Sequence, residues 1–250
     1  MFGIRTYCRR FFAKARYVFS ADKLNRRVVI RYNRSPTYGA QLADKYHTDK
    51  GTNQSTDIKF PWPCHTYTDI YDLLFFSQRL AVSRVFECGI GSTNPAISCS
   101  MSDSGRPGAS LRMWREYFPK AHIYGADIDK SILFQDDRIT TAWVNQLEPS
   151  SIKQMYTDFA CEKFDLIIDD GLHTFEGGRT LYENSINHLA ENGIYIVEDV
   201  GPHDLVQWVA YFNDVKNVHV RFLSLLESGL DRYNNNIVIV THVNNAWFGQ

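Results

Sequence analysis

The chain predicts an α/β fold: a seven-stranded, mainly parallel sheet with helices on both faces and the last strand antiparallel. Three observations predict it. From about residue 62 onward, strand-length apolar segments alternate with helix-length amphipathic ones, the pattern of βαβ units whose crossover helices cover a parallel sheet. Two of the apolar runs, Phe164-Asp165-Leu166-Ile167-Ile168 and Ile194-Tyr195-Ile196-Val197, end in acidic pairs, Asp169-Asp170 and Glu198-Asp199. A third, Val85-Phe86-Glu87-Cys88, runs into the glycine turn Gly89-Ile90-Gly91. Open α/β sheets bind ligands at the carboxyl ends of their strands, so these three ends mark one functional edge.

The elements follow in order. Residues 1–60 read as a basic N-terminal appendage and approach segment, and residues 61–250 as the α/β domain. Strands are expected at 84–89, 122–128, 139–145, 164–169, 193–198, 218–224 and 236–242. Helices are expected at 109–118, 149–159, 175–190 and 203–213, with connections punctuated by Gly, Pro or Asn. The link between the last two strands, residues 226–235, is too short for a crossover helix, so that pair should run antiparallel. Residues 93–108, rich in Ser, Gly and Pro, read as a loop inserted beside the ligand edge.

Composition narrows the function classes. A net charge of -1 with 22% charged and 44% hydrophobic residues gives no footprint for nucleic acid. No apolar stretch approaches the roughly 20 residues that cross a bilayer, and the start is too basic and aromatic for a signal peptide. Five cysteines, an odd number without a C-x-x-C pair, fit reduced thiols in a cytoplasm and argue against a zinc site. Charge is uneven, however: residues 1–34 hold ten Lys/Arg and one acidic residue. Interleaved with aromatics, that composition suits peripheral contact with an anionic membrane, at its inner face. The favoured reading is plainer, an appendage packed on its own domain or on a second subunit of a homo-oligomer.

At the glycine turn, a dinucleotide fingerprint would want a small residue at position 94, where the chain has Asn94 followed by Pro95. NAD is therefore disfavoured. S-adenosylmethionine (SAM) has no pyrophosphate and needs only close backbone approach, which Gly89 and Gly91 permit. Asp127, ending Ile123-Tyr124-Gly125-Ala126, can accept from both ribose hydroxyls, while Asp129 suits a helix cap. Asn145 and Gln146, ending the next strand, could read an adenine edge. If the two acidic strands are neighbours, Asp169, Asp170, Glu198 and Asp199 converge and repel. A hard cation such as Mg²⁺ would relieve that repulsion through oxygen ligands. His173, three residues beyond Asp170, could reach a hydroxyl held there and act as general base.

Glu87-Cys88-Gly89-Ile90-Gly91, Gly125-Ala126-Asp127-Ile128-Asp129, Asp169-Asp170-Gly171-Leu172-His173 and Val197-Glu198-Asp199 together resemble a class I SAM-dependent methyltransferase, a Rossmann-like fold. More narrowly, with Leu42-Ala43-Asp44-Lys45-Tyr46-His47-Thr48-Asp49-Lys50-Gly51 and the run from Ser110 to Pro119, they are similar to the metal-dependent macrolide sugar O-methyltransferases of the mycinamicin and tylosin type. That resemblance implies metal ligation by Asp170, Glu198 and Asp199, a base at His173, and cofactor contacts from Glu87, Gly89, Gly91, Asp127, Asn145, Gln146 and Asp169. It implies a sugar-containing small molecule or glycan as acceptor. Leu172 stands where the macrolide enzymes have a small polar residue. A binding partner that keeps the fold without the activity, or a metal-dependent nucleotide-sugar-modifying enzyme, would fit the same carboxylates.

Overall fold

The computed structural model describes residues 27–32, 36–52, 60, 62–227 and 235–246. Most of the basic segment 1–34, and with it the expected membrane or subunit contact, lies outside the described residues. The elements run β1 (Arg27–Tyr32), α1 (Tyr38–Tyr46), α2 (Tyr67–Phe75), β2 (Arg84–Cys88), α3 (Ala109–Tyr117), β3 (His122–Asp127), β4 (Gln135–Asp136) and β5 (Ile139–Trp143). They continue with α4 (Pro149–Phe159), β6 (Phe164–Asp169), α5 (Phe175–Ser185), β7 (Leu189–Val197), α6 (Pro202–Asp214), β8 (Val218–Glu227) and β9 (Asn236–His242). One sheet holds the nine described strands in the order β1-β8-β9-β7-β6-β2-β3-β5-β4.

The block β7-β6-β2-β3-β5 is parallel throughout. The last strand, β9, inserts antiparallel between β7 and β8. All seven expected strands are present. Two more join them: the two-residue β4, and β1, which pairs parallel with β8 at the sheet edge. The expected helix 175–190 stops at Ser185, and a 3₁₀ turn at Ile186–His188 leads into a strand that starts at Leu189 rather than at 193. Pairing of Leu189 with Phe164 decides this start, since the sheet ladder there outcompetes a last helical turn.

Side chains alternate between two cores, as a pleated strand requires. From β2, Val85 enters one cluster and Phe86 the other; from β6, Leu166 and Ile168 face one way and Ile167 the other. The first cluster is roofed by α1, α2 and α3 through Leu42, Tyr71, Leu111, Trp114 and Tyr117, and the second by α4, α5 and α6 through Ile152, Leu181 and Trp208. Burial on both faces explains why the central strands read as nearly unbroken apolar runs.

Local chemistry starts the site-bearing helix. The Thr174 side chain accepts from the Gly177 amide, 3.2 Å away, to begin α5. Glycine at 178, a poor helix former inside α5, is held there by packing: an added Cβ would lie 2.9 Å from the Trp208 ring and 3.1 Å from the Asp169 carboxylate. That close approach seals α5 and α6 over the end of β6.

Candidate active site

The carboxyl ends of β2, β3, β5, β6 and β7 open on one cavity of about 400 Å³. Its floor is the turn after β2. Gly89 has φ +88 and an added Cβ there would fall on the Asp170 carbonyl group, 2.6 Å from its carbon, so only glycine lets β2 and β6 end side by side. Gly91, at φ +86, faces open cavity with only Met101 within 3.6 Å. Asp127 ends β3 beside them, its two oxygens accepting from the amides of Ile90 (2.8 Å) and Asp129 (2.9 Å). Burial raises its carboxyl, against those two hydrogen bonds. Asp129 caps the next turn, accepting from Ser131 and from the Ser92 hydroxyl.

The amides expected beside an adenine line the same cavity with their side chains already engaged. Asn145 donates to Glu148 at 2.8 Å and so joins the start of α4. Gln146 donates to Asp169 Oδ1 at 2.7 Å and accepts from the Leu172 amide at 2.9 Å, bracing the loop after β6. Apolar walls come from Ile128, Val144 and Leu147 on one side and from Ile97 and Met101 of the loop 93–108 on the other. Two expected residues lie behind the cavity. Glu87 is fully buried and accepts from Ser110 Oγ at 2.6 Å, and burial pushes its carboxyl up to about 7. Asp169 is buried as well, and burial pushes it up to about 6.

Deeper in, Asp170, His173 and Asp199 each offer one ligand atom, and these atoms lie within 4.8 Å of one another. His173 Nε2 is 3.2 Å from Asp170 Oδ1 and its Nδ1 is 3.5 Å from Asp199 Oδ2. Both His173 (φ 54) and Asp199 (φ 52) have left-handed backbone, a strained conformation for non-glycine residues that here aims both side chains into one place. Burial disfavours the charged imidazole, yet the two carboxylates outweigh it and hold His173 well above the usual histidine range. Burial likewise opposes ionisation of Asp199, but His65, His173 and Tyr67 together hold it well below the usual carboxylate range.

Glu198 is turned differently. It accepts from Tyr71 at 2.6 Å and is paired with Lys50, whose ammonium also lies 2.5 Å from Asp170 and 3.8 Å from Glu87. Burial pushes Glu198 up to about 8 even against that lysine. Residues from the segment before β2 carry polar tips into the site. Tyr67 donates to Asp199 at 2.7 Å and accepts from the Asp199 amide at 3.0 Å, and His65, stacked on Tyr67, places Nδ1 2.8 Å from the same carboxylate. Lys50, Tyr67 and Tyr71 carried no spacing signal, because their partners lie more than 100 residues away; Lys50 was visible only inside the Asp49-Lys50-Gly51 run.

No protein-family model matches the chain. It is 30% identical over 169 residues to 8-demethyl-8-alpha-L-rhamnosyl tetracenomycin-C 2'-O-methyltransferase of Streptomyces olivaceus, covering 68% of this chain and 42% of that protein. It is 33% identical over 149 residues to demethylmacrocin O-methyltransferase of Streptomyces fradiae, covering 59% of this chain and 33% of that protein. The chain thus spans less than half the length of these relatives. Among solved structures, the MycE methyltransferase of the mycinamycin biosynthetic pathway, in complex with Mg and SAH (S-adenosylhomocysteine), superposes with a TM-score of 0.58 at 25% identity, covering 86% of this chain and 57% of that one. The chain is a homologue of the macrolide sugar O-methyltransferases and carries the methyltransferase fold.

Proposed function

We propose that this protein is a SAM- and Mg²⁺-dependent O-methyltransferase that modifies a sugar hydroxyl of a glycan or glycosylated metabolite. One observation carries the reading: a single cavity joins the glycine turn and Asp127 to the cluster of Asp170, His173 and Asp199. The similar MycE structures hold Mg and SAH, in one case with mycinamycin VI as well.

The residues present fit both groups. Gly91 leaves open space where a side chain would stand, and Asp127 retains lone pairs toward the cavity. The acidic set of Asp170, Glu198 and Asp199 offers hard oxygen donors around the single ammonium of Lys50. When bound, SAM supplies an electrophilic methyl group, and Mg²⁺, held by Asp170, Glu198 and Asp199, supplies charge that acidifies and orients sugar hydroxyls. Gly89 and Gly91 admit the cofactor's amino-acid end, Asp127 binds its ribose, and Ile128, Val144 and Leu147 flank its base. His173 takes the hydroxyl proton on a ring nitrogen. It can do so only as the neutral imidazole, so the base role requires another cation to take up the charge of Asp170 and Asp199. The site works mainly by positioning and electrostatics.

Radiolabelled SAM, offered to the pure protein with a panel of glycosylated acceptors, tests the reading. Label transfer to a sugar that stops in EDTA and returns with Mg²⁺ is expected. Transfer undiminished by EDTA would remove the metal from the mechanism, and binding of a nucleotide sugar in place of SAM would replace the function.

A further inference from the structure

Lys50 is 2% exposed and sits among three carboxylates. Thr68 donates to its carbonyl oxygen at 2.8 Å, which ties the main chain at Lys50 to α2. Nearby, the Thr52 amide donates to Asp44 of α1 at 2.8 Å, so the segment carrying Lys50 is anchored on both sides. With the ammonium in place, both oxygens of Glu198 are engaged, by Lys50 and by Tyr71, and both oxygens of Asp170, by Lys50 and by His173. The convergent ligand atoms are those of Asp170, His173 and Asp199, with Glu198 outside that group. A divalent ion shared by Asp170, Glu198 and Asp199 must take oxygens that the ammonium now holds. Two cations crowded on the same oxygens repel. Of the two groups on Glu198, Tyr71 is locked in the aromatic core against Trp114, whereas a lysine head moves on a flexible four-carbon stem.

We propose that Lys50 is the internal counter-ion of the metal-free site: its ammonium holds Asp170 and Glu198 in position and gives way when a divalent ion binds. The inference rests on the metal reading above. In the metal-free protein the lysine offsets repulsion among buried carboxylates, and in the loaded protein it competes with the ion, so it sets the affinity at which the site fills.

Calorimetric titration of the full chain with Mg²⁺ and Mn²⁺, comparing wild type with Lys50→Met, tests this. Methionine keeps the unbranched length and removes the charge. The variant should bind the ion at least tenfold more tightly, and its melting temperature should rise more on adding Mg²⁺ than that of the wild type. Equal or weaker binding would overturn the proposal. So would a loss of melting temperature that is the same with and without the ion, the signature of a lysine that serves packing alone. Should the variant not fold, ¹⁵N NMR of the wild-type lysine side chains serves instead. A buried ammonium locked between carboxylates gives a slowly exchanging signal, which saturation with Mg²⁺ should displace; an unmoved signal overturns the proposal. A wild type that binds no divalent ion removes the metal reading and this inference together, whereas a wild type that binds it without any gain in Lys50→Met removes this inference alone.

Discussion

Gly89→Ala and Gly91→Ala form a matched pair that separates backbone strain from steric exclusion at the turn after β2. Both positions have a left-handed φ, +88 and +86, so each alanine forces an L-residue into the same unfavourable region, at a cost of about 1–2 kcal/mol. The surroundings differ. At 91 the nearest atom to an added Cβ is the Met101 side chain at 3.6 Å, an ordinary contact, while at 89 the neighbours are backbone atoms of Asp170 and Gly171 that cannot rotate away. Overpacking of that kind adds about 1–3 kcal/mol. Gly91→Ala should therefore cost about 1–2 kcal/mol and Gly89→Ala about 2–5 kcal/mol. For a chain of this size, 1 kcal/mol corresponds to about 2–4 °C in melting temperature. Urea unfolding, followed by the fluorescence of the buried Trp114 and Trp208, measures the difference. Because the Asp170 amide donates to Cys88 at 2.9 Å, the displacement at 89 should also reach the carboxylate cluster and weaken divalent-ion binding. Indistinguishable unfolding midpoints for the two variants would refute the steric argument and leave φ alone as the reason for glycine.

Three further outcomes are expected. Asp127→Ala should weaken S-adenosylhomocysteine binding by about 1.5–3 kcal/mol, the worth of hydrogen bonds to a charged group; unchanged affinity in calorimetry would remove the ribose role. Asp170→Asn should abolish methyl transfer with partial recovery in excess Mg²⁺, whereas His173→Ala should keep metal and cofactor affinity and lose about 10² to 10⁴ in rate; a wild-type rate in the latter would pass the base role to water. Glu87, pushed up to about 7 by burial, holds a proton in the folded protein that the unfolded chain releases above pH 4.5, so its contribution to stability is full below that pH and is lost as pH rises through about 7. Glu87→Gln should flatten the fall in stability between pH 5 and 7.5, in line with those values. Identical slopes for variant and wild type would show that Glu87 does not titrate there.

The sequence by itself determined the sheet and its ligand edge. Apolar runs at 166–168 and 194–197 read as strands buried on both faces, and the acidic residues directly after them emerge where those strands end. The glycine turn after Glu87 was equally legible, since its reason is local: a positive φ and a backbone in contact. Strand β1 was not, because three apolar residues among basic ones become a strand only when β8 supplies a partner. Only the tertiary structure decided how the carboxylates are neutralised. Lys50, His65, Tyr67 and Tyr71 come from the segment before β2, and nothing local in Tyr67-Thr68-Asp69-Ile70-Tyr71 separates a phenol that caps Glu198 from one that merely fills the core. Their roles depend on charge balance between residues more than 100 positions apart, a long-range quantity that periodicity and spacing do not encode.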